Sequence, residues 1–497
     1  MSTAEETRAA VQREPGAGTA DEEFILLGIP DVNGSIRGKA LRPAAFQSAL
    51  RHGTVMTDLL LALDPTDTPI SDYTGFGIRS GAGDLLVHPD PTTLHDLTWR
   101  PGWKVCLATP SWPDGTRCEL ASREVLRRVL DGLSELGYEA LSAVEYEVRV
   151  FDAESRPLSS GLSYSLSELG GFEAFVRALT HALDALGVDL LAVHTEAGPG
   201  LLELNLGARP ALRAADDAAL TKMAVKDLAA TMGLRASFLA KTAPGEEGSS
   251  GHVHLSFWND GKNAFAPAPP ALRATSPQVG RSLPTNLPSA NLPPTSLPPT
   301  NLPPTNLPPT NLPPTNLPPT NLLTLPAVFR SAIAGVIEHL PAASLLLNPT
   351  INSYKRLVPG WFAPVNATWG VENRSCAVRA IVRADHPEMC RFECRRPGAD
   401  ANPYLAIAAI AASAADGIKR GLTPPEPIVG DAYARADVQE LPGSLESALR
   451  AFESDSVLRD ALGESFSEYF ATSRRWEVKA FRETVTEWER DRYMRTV

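Results

Sequence analysis

Cysteine is scarce in this chain. Five residues in 497 (Cys106, Cys118, Cys376, Cys390 and Cys394) are an odd number, too few to staple a protein of this length. A disulfide framework is excluded, and reduced thiols in a cytoplasm are expected. Cys390 and Cys394 have neither a second cysteine pair nor a nearby histidine pair, which argues against zinc. Basic charge is also in deficit. With 46 Lys and Arg against 58 Asp and Glu, the net charge is −12, which excludes a generic nucleic-acid binder. Long apolar runs are missing too. The Ala-rich stretch from Tyr404 to Ala415 stops at Asp416, too short to span a bilayer, and reads as a buried helix. Residues 1–22 are polar and mixed in charge, without an apolar leader, and read as a disordered tail. No Gly-x-x-x-x-Gly-Lys-Ser/Thr run occurs, so a P-loop is excluded.

Proline, by contrast, is abundant, with 44 residues. Six tandem copies of Leu-Pro-Pro-Thr-Asn/Ser run from Leu292 to Asn321. Two prolines in every five residues remove backbone donors and forbid helix, so the stretch is expected to be extended or disordered. Together with its irregular lead-in it is expected to form an insert over 266–325. A linker between two independent domains is the competing reading. It is disfavoured because functional residues on the two sides complement each other, as set out below.

The remaining text is long enough to bury a substantial core. Strand-and-turn patterns run from Phe24 to about Pro110, indicating a small α+β unit. An amphipathic helix follows at Ser122–Leu136, with Val125, Val129 and Leu133 on one stripe. Further strands are expected at Ala143–Phe151, Gly200–Leu206, His252–Trp258, Cys376–Ala384 and Met389–Arg395. Helices are expected at Gly171–Leu186, Asp217–Met232 and Ala327–His339. From Ser444 the chain is helical, with Trp476, Phe481, Trp488 and Tyr493 as packing anchors.

The chemistry lies in alternation. Glu145 and Glu147 flank Tyr146 in a strand, and period-two geometry sets both carboxylates on one face. A solvated strand face can alternate in the same way, but the pattern recurs. Glu203 alternates with Asn205, and Glu196 lies upstream across a Gly-Pro-Gly turn. His252 alternates with His254, and Arg391 with Glu393 and Arg395. Four such strands imply an interior lined by charge, as in an open barrel. Five carboxylates and an imidazole (Glu145, Glu147, Glu196, Glu203, Glu393, His252) suit Mg²⁺ or Mn²⁺. Arg356, Arg374, Arg379, Arg391 and Arg395 beside them suit an anionic, phosphorylated substrate, and the combination points to phosphoryl transfer.

Several segments resemble the signature blocks of the glutamine synthetase family (type I-like). They are Val144-Glu145-Tyr146-Glu147, His194-Thr195-Glu196 through Glu203-Leu204-Asn205-Leu206, Gly251-His252-Val253-His254-Leu255-Ser256, Asn352-Ser353-Tyr354-Lys355-Arg356-Leu357-Val358-Pro359-Gly360, Asn373-Arg374-Ser375, and Arg391-Phe392-Glu393-Cys394-Arg395 with Asn402-Pro403-Tyr404-Leu405. They stand in family order from about Phe24 to Tyr493. The resemblance implies an α+β fold, with a small β-grasp domain (23–112) and a large catalytic domain (118–497) built as an antiparallel open barrel with flanking helices. It implies an ATP-dependent ligase that makes γ-glutamyl phosphate from L-glutamate and lets an amine displace phosphate.

By motif position, Glu147, Glu196 and Glu203 would hold one Mg²⁺ or Mn²⁺, and Glu145, His252 and Glu393 the other. His254, Ser256 and Arg391 would contact ATP. Arg356, Arg395, Asn205 and Gly248 would border glutamate, while Arg374 and Arg379 would face the transferred phosphoryl group. A ring-shaped homo-oligomer, a dodecamer of two stacked hexamers, is implied, with Asp72 of a small domain reaching the neighbouring chain's site.

One slot departs from the family. Where the family carries a Tyr-Glu-Ala-Pro-like run, this chain has Trp361-Phe362-Ala363-Pro364, so Phe362 replaces a carboxylate of the ammonium pocket. The glutamate loop is also altered, reading Glu247-Gly248-Ser249-Ser250. The expected consequence is a γ-glutamyl-amide ligase for an organic amine such as ethanolamine, an alkylamine or a polyamine. The alternatives are an ammonia-using glutamine synthetase and a non-catalytic structural or regulatory relative.

Overall fold

A computed structural model describes residues 23–267 and 325–496. The expected tail and nearly all of the expected insert lie outside the described residues. The fold is α+β, organised by two sheets. The first holds Phe24–Pro30 (β1), Ile36–Leu41 (β2), Thr54–Thr57 (β3), Asp84–Pro89 (β4), His95–Asp96 (β5) and Trp103–Ser111 (β6), in the order β2-β1-β6-β4-β3 with β5 also on β6. Only the β1–β6 pair is parallel in this sheet. The Pro43–His52 helix packs against it through Phe46 and Ala49.

The second sheet has ten strands. They are Glu139–Phe151 (β7), Leu190–Thr195 (β8), Leu201–Leu206 (β9), Arg209–Pro210 (β10), Arg235–Ser237 (β11), Gly251–Asn259 (β12), Lys262–Asn263 (β13), Trp369–Val371 (β14), Val378–Ile381 (β15) and Arg391–Cys394 (β16). The main path is β14-β15-β16-β12-β7-β9-β8, antiparallel except for β14–β15. Strands from both sides of residues 268–324 therefore pair directly, through β12 and β16. Phe265 also stacks on Phe329, ring centroids 4.5 Å apart, next to the gap on either side.

Why this sheet holds is legible in its residues. One face is apolar and buried: Val144, Tyr146, Val148, Leu202, Leu204, Val253, Leu255 and Phe392. Each such side chain contributes about 1.5–3 kcal/mol relative to exposure. Behind this face, the Ala211–Thr231 helix packs on β7, and the Ala327–Leu347 and Pro403–Arg420 helices cross closely. A Cβ at Gly335 would sit 2.1 Å from the Ser413 carbonyl, and one at Gly417 2.1 Å from that of Ser331. Both positions need glycine for the two helices to approach.

Several boundaries differ from the sequence reading, each for a physical reason. Asp216 and Asp217 resemble a helix start, but the helix begins at Ala211 and carries them inside. Arg123 donates to both Asp216 oxygens at 2.9 Å, and Arg213 pairs with Asp217 at 2.6 Å. The Ala327 helix continues through Pro341 to Leu347. Residues 342–347 are all buried, so packing outweighs the backbone donor that proline lacks. The strands around Arg379 and Glu393 are shorter than expected, with a 3₁₀ turn at Pro387–Met389.

Of the four C-terminal aromatics, only Trp476 packs, donating its indole N–H to Asp64 at 3.2 Å. Phe481, Trp488 and Tyr493 are 44%, 61% and 43% exposed, so the anchor reading fails for them in the single chain. Their charged neighbours leave that end of the helical tail without an apolar surface to cover it.

A buried histidine joins three helical segments. His339 Nδ1 meets Asp455 Oδ2 at 2.6 Å and Nε2 meets Asp416 Oδ2 at 2.9 Å, with Arg420 bridging Asp416 and Glu338. Burial lowers the imidazole pKa, but hydrogen bonds to Asp455 and Asp416 outweigh it and raise the value. Burial pushes the Asp455 carboxyl up, yet the His339 contact and backbone N–H groups hold it below its usual value. His339 therefore stabilises fully below about pH 6.5, and that share is lost as pH rises through its raised pKa. The Asp455 share is present above about pH 3.9 and is lost as pH falls through its depressed pKa. We expect His339→Gln to cost about 3 kcal/mol near pH 6 in denaturant unfolding. The gap to wild type should close as pH is raised; a gap constant to pH 9 would refute the clamp.

Candidate active site

Residues directly opposite each other in paired strands share a face, and here that rule collects the charged groups. Glu145 lies opposite His252 on one side and Asn205 on the other. Glu147 faces Glu203, which faces His194. His254 and Arg379 both pair with Glu393. All belong to the sheet face away from the apolar core. All of them except His254 line a cavity of about 570 Å³.

Twelve of the residues singled out in the sequence line this cavity: Glu145, Glu147, Glu196, Glu203, Asn205, Gly248, His252, Phe362, Arg374, Arg379, Glu393 and Arg395. His254 and Arg391 stand just behind its wall. Arg391 Nε donates to His254 Nδ1 at 3.1 Å, which turns the other ring nitrogen to within 2.9 Å of Glu145 Oε1. Arg356 lies beneath the floor, 2% exposed, donating to Ser250 Oγ at 2.9 Å and to the Arg395 and Arg396 carbonyls. Gly248 makes room for it, since a Cβ there would meet Arg356 Cγ at 2.5 Å. Ser256 sits farther along β12, does not line the cavity, and accepts a hydrogen bond from the Trp258 indole. Asp72 does not line the cavity of its own chain; its expected place is the site of a neighbouring chain.

Two compact groups could each hold a cation. In the first, His252 Nδ1 lies 3.5 Å from both Glu145 Oε2 and Glu393 Oε1. Arg379 and Arg395 also ion-pair with Glu393, and Arg379 reaches on to Glu372. Burial pushes the Glu145 and Glu393 carboxyls up, but the charges facing them hold both below the usual range. For Glu145 those charges are chiefly His254 and His252, and for Glu393 chiefly Arg395. His252 Nε2 is buried with no hydrogen-bond partner, while His254 Nε2 faces Glu145. An unpartnered imidazole beside two carboxylates is a donor set that fits a divalent cation.

The second group is His194, Glu196 and Glu203. The sequence reading placed Glu147 with the two glutamates, and here its carboxylate is otherwise engaged. Glu147 Oε2 accepts the Ser250 N–H at 2.7 Å. Burial, reinforced by the negative charge of Glu203, pushes its carboxyl up to about 8. His194 carried no role in the sequence reading, although it alternates with Glu196 along the strand direction. Tyr164 and Trp361 were also missed; both line the cavity from loops, where no periodicity marks them. Tyr164 stacks on the His194 ring at 4.2 Å, and Trp361 receives Lys241 Nζ at 4.5 Å from its ring centroid.

Comparison with known proteins agrees with this geometry. The family model of the glutamine synthetase catalytic domain matches residues 119–277 and 319–493. The chain belongs to the glutamine synthetase family. It is an ATP-dependent carbon–nitrogen ligase of that family. It is similar to the gamma-glutamylethanolamide synthetase GlnA4 of Streptomyces coelicolor, 32% identical with 94% of this chain and 92% of that protein covered. It is also similar to the glutamate–isopropylamine ligase of a Pseudomonas species, 30% identical with 95% of each covered. The glutamine synthetase of Thermus thermophilus is 32% identical, with 95% of this chain and 96% of that protein covered. Among solved structures, GmaS without ligand superposes with a TM-score of 0.75 at 26% identity, covering 95% of this chain and 97% of that one. No helix among the described residues is long and apolar enough to cross a membrane.

Glu393 carries the electrostatic balance of this site. Glu393→Gln keeps its shape but leaves Arg379 and Arg395 facing a neutral amide. It should lower stability by about 3 kcal/mol, read as a fall in the thermal unfolding midpoint. An unchanged midpoint would mean that other carboxylates neutralise both guanidinium groups.

Proposed function

We propose that this protein joins the γ-carboxyl of L-glutamate to a small organic amine, using ATP, through γ-glutamyl phosphate. Mg²⁺ or Mn²⁺ bound at two acidic sites of the cavity would neutralise phosphate oxygens during transfer. Glu145, His252 and Glu393 are the ligands for one ion, and Glu147, Glu196 and Glu203 are those the resemblance gives for the other.

The chain's own residues then have distinct tasks. Arg395 lines the cavity while Arg356 supports its floor through Ser250, and this pair suits the α-carboxylate of glutamate, with Asn205 and Gly248 at its flank. Arg379, and Arg374 on the exposed side, offer fixed positive charge where the phosphoryl group carries its negative charge. Arg391 and Glu145 hold His254 from opposite sides, presenting that edge of β12, with Ser256, to the nucleotide. A ring of chains, two stacked hexamers, would bring Asp72 to the neighbouring cavity.

The observation that carries the choice of amine is Phe362. It lines the cavity at the position where the resemblance puts a carboxylate, and Trp361 and Tyr164 line it as well. Ammonium is small and strongly hydrated, and needs carboxylate to bind and release its proton. An aromatic ring instead favours a carbon-bearing amine, by about 1–3 kcal/mol. The relatives named for ethanolamide and isopropylamine products support the same reading. Similarity to the Thermus glutamine synthetase keeps ammonium as the rival acceptor.

The test is phosphate release with ATP, Mg²⁺, glutamate and a panel of ammonium, ethanolamine, short alkylamines and polyamines. Ethanolamine or a short alkylamine should give the highest kcat/KM. Phe362→Glu should raise kcat/KM for ammonium and lower it for the preferred amine, each by about tenfold. Full turnover on ammonium alone would overturn the proposal.

A further inference from the structure

Beyond Glu145 and Glu147, the alternation along β7 reaches a third residue on the same face, Arg149. Its side chain is 1% exposed and does not line the cavity. The guanidinium instead joins two loops that do. Nη1 donates to the Pro199 carbonyl and Nη2 to the Glu247 carbonyl, each at 2.5 Å, and Glu246 Oε2 pairs with Nη1 at 3.1 Å.

We infer that Arg149 is a positioning residue for glutamate. It clamps the Glu247–Gly248 loop to the turn that follows Glu196, and so fixes one border of the glutamate pocket. The inference rests on the proposed ligase reading, in which Gly248 flanks the substrate. Among the described residues, Arg149 is the sole protein donor to the Pro199 and Glu247 carbonyls. The turn is shaped around the guanidinium, since a Cβ at Gly198 would come 2.7 Å from Arg149 Nη2. Acceptors on two separate segments suit a planar fork of several N–H donors, which one group can span.

Each loop has its own anchors, but they lead elsewhere. Lys241 Nζ donates to the Glu246 carbonyl and rests on the Trp361 ring, and Ser249 N–H donates to the Ala240 carbonyl at 2.9 Å. On the other side, Gly200 N–H donates to the Ser159 carbonyl at 3.1 Å. Among the described residues, no other hydrogen bond or ion pair joins 197–200 to 246–248. The two segments also present Glu196 and Glu247 to the same cavity, and like charges push them apart. A cation bound to both backbones from beneath opposes that repulsion without entering the pocket.

The experiment is steady-state kinetics of the full chain with ATP, Mg²⁺, glutamate and the best amine of the panel, paired with hydrogen exchange of the unliganded protein. Arg149→Gln should raise the KM for glutamate about tenfold, while kcat and the KM for ATP change by less than about threefold. Backbone amides within 197–200 and 246–250 should exchange faster together, with the rest of β7 and β12 unchanged. Arg149→Lys keeps a positive charge beside Glu246 and so protects folding, yet one ammonium cannot span both carbonyls. The KM for glutamate should still rise severalfold in that variant. An unchanged KM for glutamate in a folded variant overturns the inference and leaves the ligase reading standing. Faster exchange throughout the sheet also overturns it, because that marks a purely structural role. If wild type turns over with no amine, the ligase reading falls and the glutamate role falls with it.

Discussion

Two carboxylates on one face of one strand, Glu145 and Glu147, set the terms for everything around them. Like charges that close cannot be taken out of water without a compensating cation or a proton. The molecule resolves the two positions differently. Glu145 is surrounded by His252 and His254 and stays ionised. Glu147 is more deeply buried, faces Glu203, and is tied to the Ser250 N–H, so its carboxyl rises toward neutrality. One strand thus offers a charged oxygen set at its first carboxylate and a restrained one at its second. Cations arriving at either place would complete a balance that the protein leaves unfinished.

The same constraint explains why so much arginine is spent nearby. Glu393 is 1% exposed and holds two guanidinium groups, while Arg379 also reaches Glu372, to which Arg383 is bound. These ion pairs lie side by side, so each residue's charge is shared among several partners. Such a network is stable only while it is whole, because removing one member exposes the others to an uncompensated charge. It also fixes Arg379 at the cavity wall, where its positive charge is held in one direction.

What could be read from the sequence follows from the range of the interactions involved. Alternation along a strand is local, so Glu145/Glu147, Glu203/Asn205, His252/His254 and Glu393/Arg395 were legible as face-sharing pairs before any strand was paired. That β12 joins β7 and β16 is long-range and was not legible; complementary residues on the two sides of the proline-rich interruption indicated only that both sides complete one site. Helix limits were less legible. Asp216 and Asp217 mimic a capping signal and Pro341 mimics a stop, and in both places tertiary burial overrides local preference. Loop residues were the least legible. Tyr164 and Trp361 approach the cavity through turns with no period to reveal them, and Arg356 is buried below the floor, where a surface cation would have been the simpler expectation. His194 was within reach, since it alternates with Glu196 along the strand.

The loop bearing Phe362 carries the proposed preference for a carbon-bearing amine. Phe362 has φ 53°, a left-handed conformation that costs a non-glycine residue about 1–2 kcal/mol, and its ring is 57% exposed. Neither feature stabilises the isolated chain: the backbone is strained and the ring forgoes burial. Gly360, two residues earlier, also has positive φ, so the turn is sharply bent and aims the Phe362 side chain at the cavity. A strained, solvent-facing aromatic at a cavity lined mostly by polar and charged groups, with Trp361 and Tyr164 beside it, comes at a cost to folding. That cost is offset when an apolar group covers the ring, because burying its surface is worth about as much as the strain. A bare ammonium ion has no carbon with which to cover it, while an amine with even a short carbon chain does.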